Sequence, residues 1–489
     1  MKKLFMIHKV LIILLFISTS ACAQNRPGPE SKPNIIIFLA DDMGNGDMSR
    51  NGTLYQTPNI DALAAGGAYF DRFYSYPACT PSRAALLTGR YPLRYGLWQV
   101  VIGKYDDYGL PQSEDEYLLP KLMKEAGYIT AMVGKWHLGH IYPEYLPHNR
   151  GFDYYFGTSY GLLDYYLWEF EHAKDVQENG QPVEPDGSYF TEKITEKCLE
   201  FLDRQQTNTP DKPFFLYVPY NAPHVGPYGT GADRIQIPED SLALAPPYLT
   251  PIQKRYWVMM KILDDSVGEI WRKTRELGIE ENTIIIFASD NGGDIDYAAS
   301  NFPYRGEKGG LLEGGIRAPL IWYHKNTISP QVVSEPVHIE DLHPTLLIRA
   351  GSDISDIKGA LDGEDIYPLI TGGSIAPRTF MVYYQPINNL IDPSYAVIKG
   401  GFKLCNNCGE YQMELYKVDT DPGEMNNIAK SNPKLTAQLE HYANSFSGFV
   451  KSRTNHYATS PPPGWQPITR WAVPSTFYSP KYYYYRTPH

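Results

Sequence analysis

Residues 34–40, Asn34-Ile35-Ile36-Ile37-Phe38-Leu39-Ala40, run directly into Asp41-Asp42. Residues 283–289, Thr283-Ile284-Ile285-Ile286-Phe287-Ala288-Ser289, run directly into Asp290-Asn291-Gly292-Gly293. Neither run alternates apolar with polar, so both faces of each strand need covering, as in central strands with helices on either side. Phe214-Phe215-Leu216-Tyr217-Val218 and Ala318-Pro319-Leu320-Ile321-Trp322-Tyr323 read the same way. Helix-period patterns occupy residues 59–65, 118–126, 194–205 and 256–277. This alternation predicts an α/β sandwich around a large, mostly parallel central sheet. Such sheets carry their chemistry at the carboxyl ends of the strands, where both acidic pairs fall.

The surrounding chain divides accordingly. Residues 24–32 are rich in Pro, Gly and Asn and read as a linker, and residues 33–375 read as the main α/β domain, which carries the candidate catalytic residues below. Beyond about residue 375 short strand-like pieces, 395–398, 402–404 and 413–418, precede a helix pattern at 433–450. They predict a smaller antiparallel α+β unit, so that 376–489 is a C-terminal subdomain ending in a Tyr- and Pro-rich tail.

Lys2, Lys3 and Lys9 precede an apolar run over 10–17 and the small residues Ser18 to Ala23. The run is too short to span a bilayer, so residues 1–23 read as an export signal. Two processing routes fit: cleavage after Ala23, or lipidation of Cys22 in a relaxed lipobox. The expected location is the periplasm, an outer-membrane lipid anchor, or the exterior. With 43 % hydrophobic and 20 % charged residues, the 489-residue chain is neither disordered, collagen-like nor a polytopic membrane protein. A net charge of −11 argues against a nucleic-acid partner.

Of five cysteines, Cys405 and Cys408 are spaced to form a local disulfide in an oxidising compartment, and Cys198 reads as a small buried hydrophobe. Asp41, Asp42, Asp290 and Asn291 supply oxygen ligands from two strand ends, a set suited to Ca²⁺, with Mg²⁺ as the other hard divalent candidate.

Cys79-Thr80-Pro81-Ser82-Arg83, continuing Ala84-Ala85-Leu86-Leu87-Thr88-Gly89-Arg90, resembles the signature of the formylglycine-dependent sulfatases of the alkaline phosphatase superfamily. Gly134-Lys135-Trp136-His137-Leu138-Gly139 resembles the second signature of that family. Asn221-Ala222-Pro223-His224 is similar to its histidine loop. Arg305-Gly306-Glu307-Lys308, with Glu313-Gly314-Gly315-Ile316-Arg317, is similar to its lysine loop. Pro147-His148-Asn149-Arg150-Gly151-Phe152-Asp153 and the run from Asp419 to Asn427 are further phrases of the family. The likeness covers residues 33–428. Over 118–156 it is nearest the arylsulfatase B type and related bacterial polysaccharide sulfatases.

The resemblance implies an alkaline-phosphatase-like sandwich in which Cys79 is oxidised to formylglycine by a maturation enzyme. Its aldehyde hydrate, with one hydroxyl on the metal, would attack sulfur, and Cys79 would thereby join the metal ligands. Arg83, Lys135 and Lys308 would neutralise the sulfate, His224 with Lys308 would serve the leaving oxygen, and His137 would deprotonate the second hydroxyl to release sulfate. Chemistry asks for the same parts, because a charged sulfate ester with an alkoxide leaving group needs charge neutralisation, a strong nucleophile and a proton donor.

The implied substrate is a sulfated carbohydrate, such as a marine algal polysaccharide or a glycosaminoglycan. Trp98, His148, Tyr165, Tyr166 and Trp168 are the candidate sugar contacts, since aromatic faces stack on sugars. Two other readings remain open: a phosphatase or phosphodiesterase of the same superfamily, whose nucleophile is usually Ser or Thr, and a glycan-binding relative without catalysis.

Overall fold

The computed structural model describes residues 32–51, 54–101, 108–170, 173–384, 394–409 and 411–446. The export signal over residues 1–23 with Cys22, nearly all of the 24–32 linker, and the tail beyond 446 lie outside the described residues.

The strands are β1 (Asn34–Ala40), β2 (Ala68–Tyr74), β3 (Ile129–Lys135), β4 (Tyr154–Thr158), β5 (Glu169–Phe170), β6 (Ala173–Lys174), β7 (Val176–Glu178), β8 (Gln181–Pro182), β9 (Phe214–Pro219), β10 (Thr283–Ser289), β11 (Arg317–His324), β12 (Gln331–Val333) and β13 (Val337–His338). An eleven-stranded sheet runs β12-β2-β11-β10-β1-β9-β3-β4-β7-β8, with β13 also on β2. It is mixed. The centre, β10-β1-β9-β3-β4, is parallel, whereas β11 runs antiparallel between β10 and β2, and β7 runs antiparallel to β4. The apolar run of β11 carries no sign of direction, because any strand covered on both faces looks alike.

Period-two alternation splits each central strand between two cores. Ile35, Ile37 and Leu39 pack with α2 (Cys79–Thr88), α3 (Leu119–Glu125) and α7 (Leu342–Arg349), while Ile36, Phe38 and Ala40 pack with α1 (Pro58–Gly66), α4 (Phe190–Asn208) and α5 (Pro251–Glu276). Each buried Ile, Leu or Phe contributes about 1.5–3 kcal/mol. The remaining helices are α6 (Glu313–Ile316), α8 (Tyr367–Ile370) and α9 (Pro433–Asn444).

Four strands, β14 (Thr379–Tyr384), β15 (Ser394–Lys399), β16 (Phe402–Asn406) and β17 (Met413–Tyr416), form a second sheet, antiparallel throughout, which α9 covers. Cys405 and Cys408 are disulfide-bonded at the end of β16, and Cys198 is buried and free. Among the described residues no helix is long and apolar enough to cross a membrane.

Parallel pairing of β1 with β10 in register, Ala40 opposite Ser289, delivers both acidic pairs to one edge. Lys135 ends β3 at the same edge, two strands away. Gly134, just before it, has φ 136°, and a Cβ there would stand 2.0 Å from the Pro219 carbonyl oxygen. Gly134→Ala is therefore expected to cost more than about 1 kcal/mol and to lower the melting temperature by several degrees. An unchanged transition would show that β3 and β9 separate freely.

Candidate active site

Cys79 is the first residue of α2, a helix buried along its whole length, so residue 79 is held by rigid structure. Its Sγ lies 4.0 Å from Asp42 Oδ1. Ligand atoms of Asp41, Asp42, Cys79 and Asp290 lie within 4.8 Å of one another. Asn291 joins them by donating from Nδ2 to Asp42 Oδ1 at 2.8 Å, and its Oδ1 is buried without a hydrogen bond. Asp41 Oδ1 is likewise buried without one, 3.4 Å from Arg83 Nη2. Three carboxylates with two such oxygens suit a hard divalent cation.

Positive charge surrounds the carboxylates. Lys135 Nζ lies 2.6 Å from Asp41 Oδ2, and Lys308 Nζ 2.6 Å from Asp42 Oδ2. Arg83 is wholly buried. It donates from Nε and Nη2 to Asp290 Oδ2 at 3.1 and 2.7 Å, and from Nη1 to the Lys135 carbonyl at 3.1 Å. This corrects the sequence expectation for Arg83. Its fork is spent on Asp290 and the backbone, so it shapes the carboxylate cluster instead of facing a sulfate.

Burial and mutual repulsion set the protonation states. Burial, with Asp41 and Asp42 nearby, pushes Asp290 up to about 7, although Arg83 opposes this. Burial acts most strongly on Asp42 and pushes it up, but Lys308, His224, Lys135 and the Asn291 hydrogen bond together outweigh it and hold that carboxyl below the usual range. Burial and Asp41 push the Cys79 thiol up, so the unmodified side chain stays a neutral thiol. Burial and then Lys308 push His224 down to about 3.

Both histidines have assignable tautomers. His224 Nδ1 lies 2.8 Å from the Val225 carbonyl and carries the hydrogen, which leaves Nε2 to accept from Lys308 Nζ at 2.9 Å. His137 Nε2 lies 2.8 Å from the Val101 carbonyl, which leaves Nδ1 as a buried acceptor without a hydrogen bond. Burial followed by Lys135 holds His137 well below its ordinary pKa, hence neutral. Thr80 Oγ1 ties this corner together, donating to the His137 carbonyl and accepting from Val101 N–H. The Val101 contact was invisible in the sequence because a backbone carbonyl has no residue signature. Tyr165 donates to the His224 carbonyl at 2.7 Å, a positioning contact, not a sugar platform.

The other aromatic candidates separate. Trp168 is 1 % exposed and packs edge-on against Phe156 and Phe190, and Trp98 packs edge-on against Tyr383 at 3 % exposure. Both are core residues, which corrects the expectation that they meet sugar. Tyr166 remains partly exposed against Tyr189. His148 packs beside Gly180 in the β7–β8 turn.

Residues 33–352 match the family described as Sulfatase, and residues 307–445 match N-sulphoglucosamine sulphohydrolase, C-terminal. The chain belongs to the sulfatase family. The sulfatase is 36 % identical over 389 residues to arylsulfatase J of Mus musculus, covering 76 % of this chain and 60 % of that protein's length. It is 35 % identical over 402 residues to N-acetylgalactosamine-6-sulfatase of Canis lupus familiaris, 76 % of this chain and 72 % of that one. The crystal structure of Ps i-CgsB in complex with k-i-k-neocarrahexaose superposes with a TM-score of 0.79 at 28 % identity, covering 88 % of this chain and 95 % of that one.

If Trp168 is core, Trp168→Ala should cost about 3–5 kcal/mol and depress the melting temperature, while Tyr166→Ala should stay within about 1 kcal/mol. Equal small losses would return Trp168 to the surface.

Proposed function

We propose that this sulfatase hydrolyses sulfate esters of a sulfated carbohydrate, with residue 79, oxidised from Cys79 to formylglycine, as the nucleophile. One observation carries the reading: Cys79 sits at a helix start among the carboxylates and near buried Arg83 and Lys135 and part-buried Lys308, yet as a thiol it is held neutral. An unmodified thiol there is a poor nucleophile, so the site needs the side chain in another form.

Asp41, Asp42, Asp290 and Asn291, with the oxidised residue 79, are the residues that would hold Ca²⁺ or Mg²⁺. Such a cation supplies positive charge beside the reacting oxygen and lowers the pKa of a bound hydroxyl. The chain's own groups do the rest. Lys135 and Lys308 neutralise the sulfate oxygens as point charges. Lys308 protonates the leaving oxygen, because His224 offers Nε2 as an acceptor and holds the ammonium in place. His137, neutral and with Nδ1 open, accepts a proton from residue 79.

Relatives named N-acetylgalactosamine-6-sulfatase and a neighbour solved with k-i-k-neocarrahexaose support a sulfated sugar as substrate. The export signal read at residues 1–23 fits an extracellular glycan, with Tyr166 and His148 the remaining sugar-contact candidates.

Mass spectrometry of the Cys79 peptide should show formylglycine, which is 18 Da lighter than cysteine by composition (roughly, from loss of H₂S and gain of O). Cys79→Ala should lose turnover by at least about 10³-fold while binding sulfated oligosaccharide within a few-fold of the parent. A fully unmodified thiol in active enzyme, or phosphate monoesters turned over faster than sulfates, would overturn the reading.

A further inference from the structure

The lysine loop is gripped from outside the catalytic unit. Lys403 and Cys405 lie two apart on β16 and so share a sheet face, and Tyr416 pairs with Lys403 across β16–β17. All three meet the loop that carries Lys308. Arg305 Nη2 donates to Tyr416 Oη at 3.2 Å, Cys405 Sγ lies 3.8 Å from the Leu311 carbonyl, and Lys403 Nζ lies 3.0 Å from Glu313 Oε1. Lys308 falls between the first and second of these anchors.

The third anchor is a buried ion cluster. The side chains of Lys403, Glu313 and Glu424 are all 0 % exposed. Lys403 Nζ reaches Glu424 Oε1 at 2.8 Å, and Glu424 Oε2 accepts the Glu313 backbone N–H at 2.7 Å. Glu313 also takes Tyr74 and Arg317, at 3.1 Å each, from β2 and β11. Glu424 comes from the Asp419-to-Asn427 phrase and has φ 53°, with Asp421 accepting the N–H groups of Met425 and Asn426 to build its turn. Helix α6, opened by Glu313, then abuts the metal-ligand loop: Gly292 N–H donates to the Gly315 carbonyl at 3.0 Å, and Lys308 N–H to the Gly293 carbonyl at 3.2 Å. A Cβ at Gly292 would lie 1.8 Å from the Gly314 carbonyl oxygen, so the two loops are in backbone contact.

We propose that the C-terminal sheet is the mount of the leaving-group lysine, with Lys403, Glu424 and Tyr416 as positioning residues that hold loop 305–315 and thereby keep Lys308 on His224 and Asp42. The proposal rests on the assignment of Lys308 to the leaving oxygen. It makes the smaller sheet part of the catalytic apparatus: Lys403 pairs with Glu424 and also with Glu313 of the loop, and Glu424 accepts the Glu313 N–H, so unseating the loop breaks up a buried ion cluster, which is strongly disfavoured.

The test uses the full-length mature protein and a series of aryl sulfates of graded leaving-group pKa. Lys403→Met removes the ammonium at similar volume, Lys403→Met with Glu424→Gln removes one charge of each sign, and Tyr416→Phe loosens the Arg305 anchor alone. Each should lower kcat more as the leaving group worsens, by about 10-fold or more for the poorest in the Lys403 variants and under about 3-fold for the best, with KM little changed. In a Lys308→Ala background, Lys403→Met should cost less than about twofold further. Deuterium exchange should rise across 305–315 and stay unchanged in β1. Equal loss on every leaving group, full additivity with Lys308→Ala, or unchanged exchange in the loop would overturn the mount. If the parent enzyme proves inactive on sulfates, the functional reading falls, whereas the exchange result still decides whether the sheet holds the loop.

Discussion

Three carboxylates, Asp41, Asp42 and Asp290, are buried together, and an interior of low dielectric tolerates them only against matching positive charge. Arg83, Lys135 and Lys308 provide that match in the protein itself. A divalent cation held by the cluster would leave an excess of positive charge, which an anionic sulfate ester would relieve. In the proposed mechanism the charge balance is therefore part of substrate recognition, and it follows from where the strands end.

That placement depends on backbone more than on side chains. In-register pairing of β1 and β10 sets Asp41 beside Asp290, and the glycine contact of Gly292 with Gly314 brings the lysine loop against the same strand end. Asp42 and His137 both have positive φ, 69° and 58°, which costs of order 1–3 kcal/mol each at non-glycine residues. Such conformations persist where surrounding contacts impose them. At Asp42 these are Lys308 and Asn291, and at His137 they are Val101 and Thr80.

Much of this was legible beforehand, and unevenly so. β1 and β10 match their apolar runs residue for residue, because a strand covered on both faces shows its ends where polar residues begin. The site residues were legible because each lies in a short contiguous motif at a strand or helix end. The direction of β11 was not, since pairing sense leaves no mark in composition. Nor were the fates of Trp98 and Trp168: a loop tryptophan reads the same whether it covers a sugar or fills the core, and only packing against Tyr383 or Phe156 separates the cases. Arg83 was placed in the right cluster and given the wrong neighbour, because sequence cannot say that its Nε, Nη1 and Nη2 already donate to Asp290 and the Lys135 carbonyl. Lys403 was unremarkable in sequence, as its partners lie 90 and 21 residues away.

The proton inventory gives the site its direction. His224 is kept neutral by burial and by the ammonium beside it, so it presents a lone pair to Lys308 and does not compete for the role of cation. His137 is kept neutral by burial and Lys135 and presents a lone pair of its own. In the proposed mechanism two neutral imidazoles would be unproductive if both had to act as acids, and are productive if one steadies an ammonium donor while the other accepts. Proton delivery therefore falls to Lys308, whose ammonium donates to His224 Nε2 and Asp42. An anionic ester arriving between them stabilises that ammonium further, since nearby negative charge favours the protonated form.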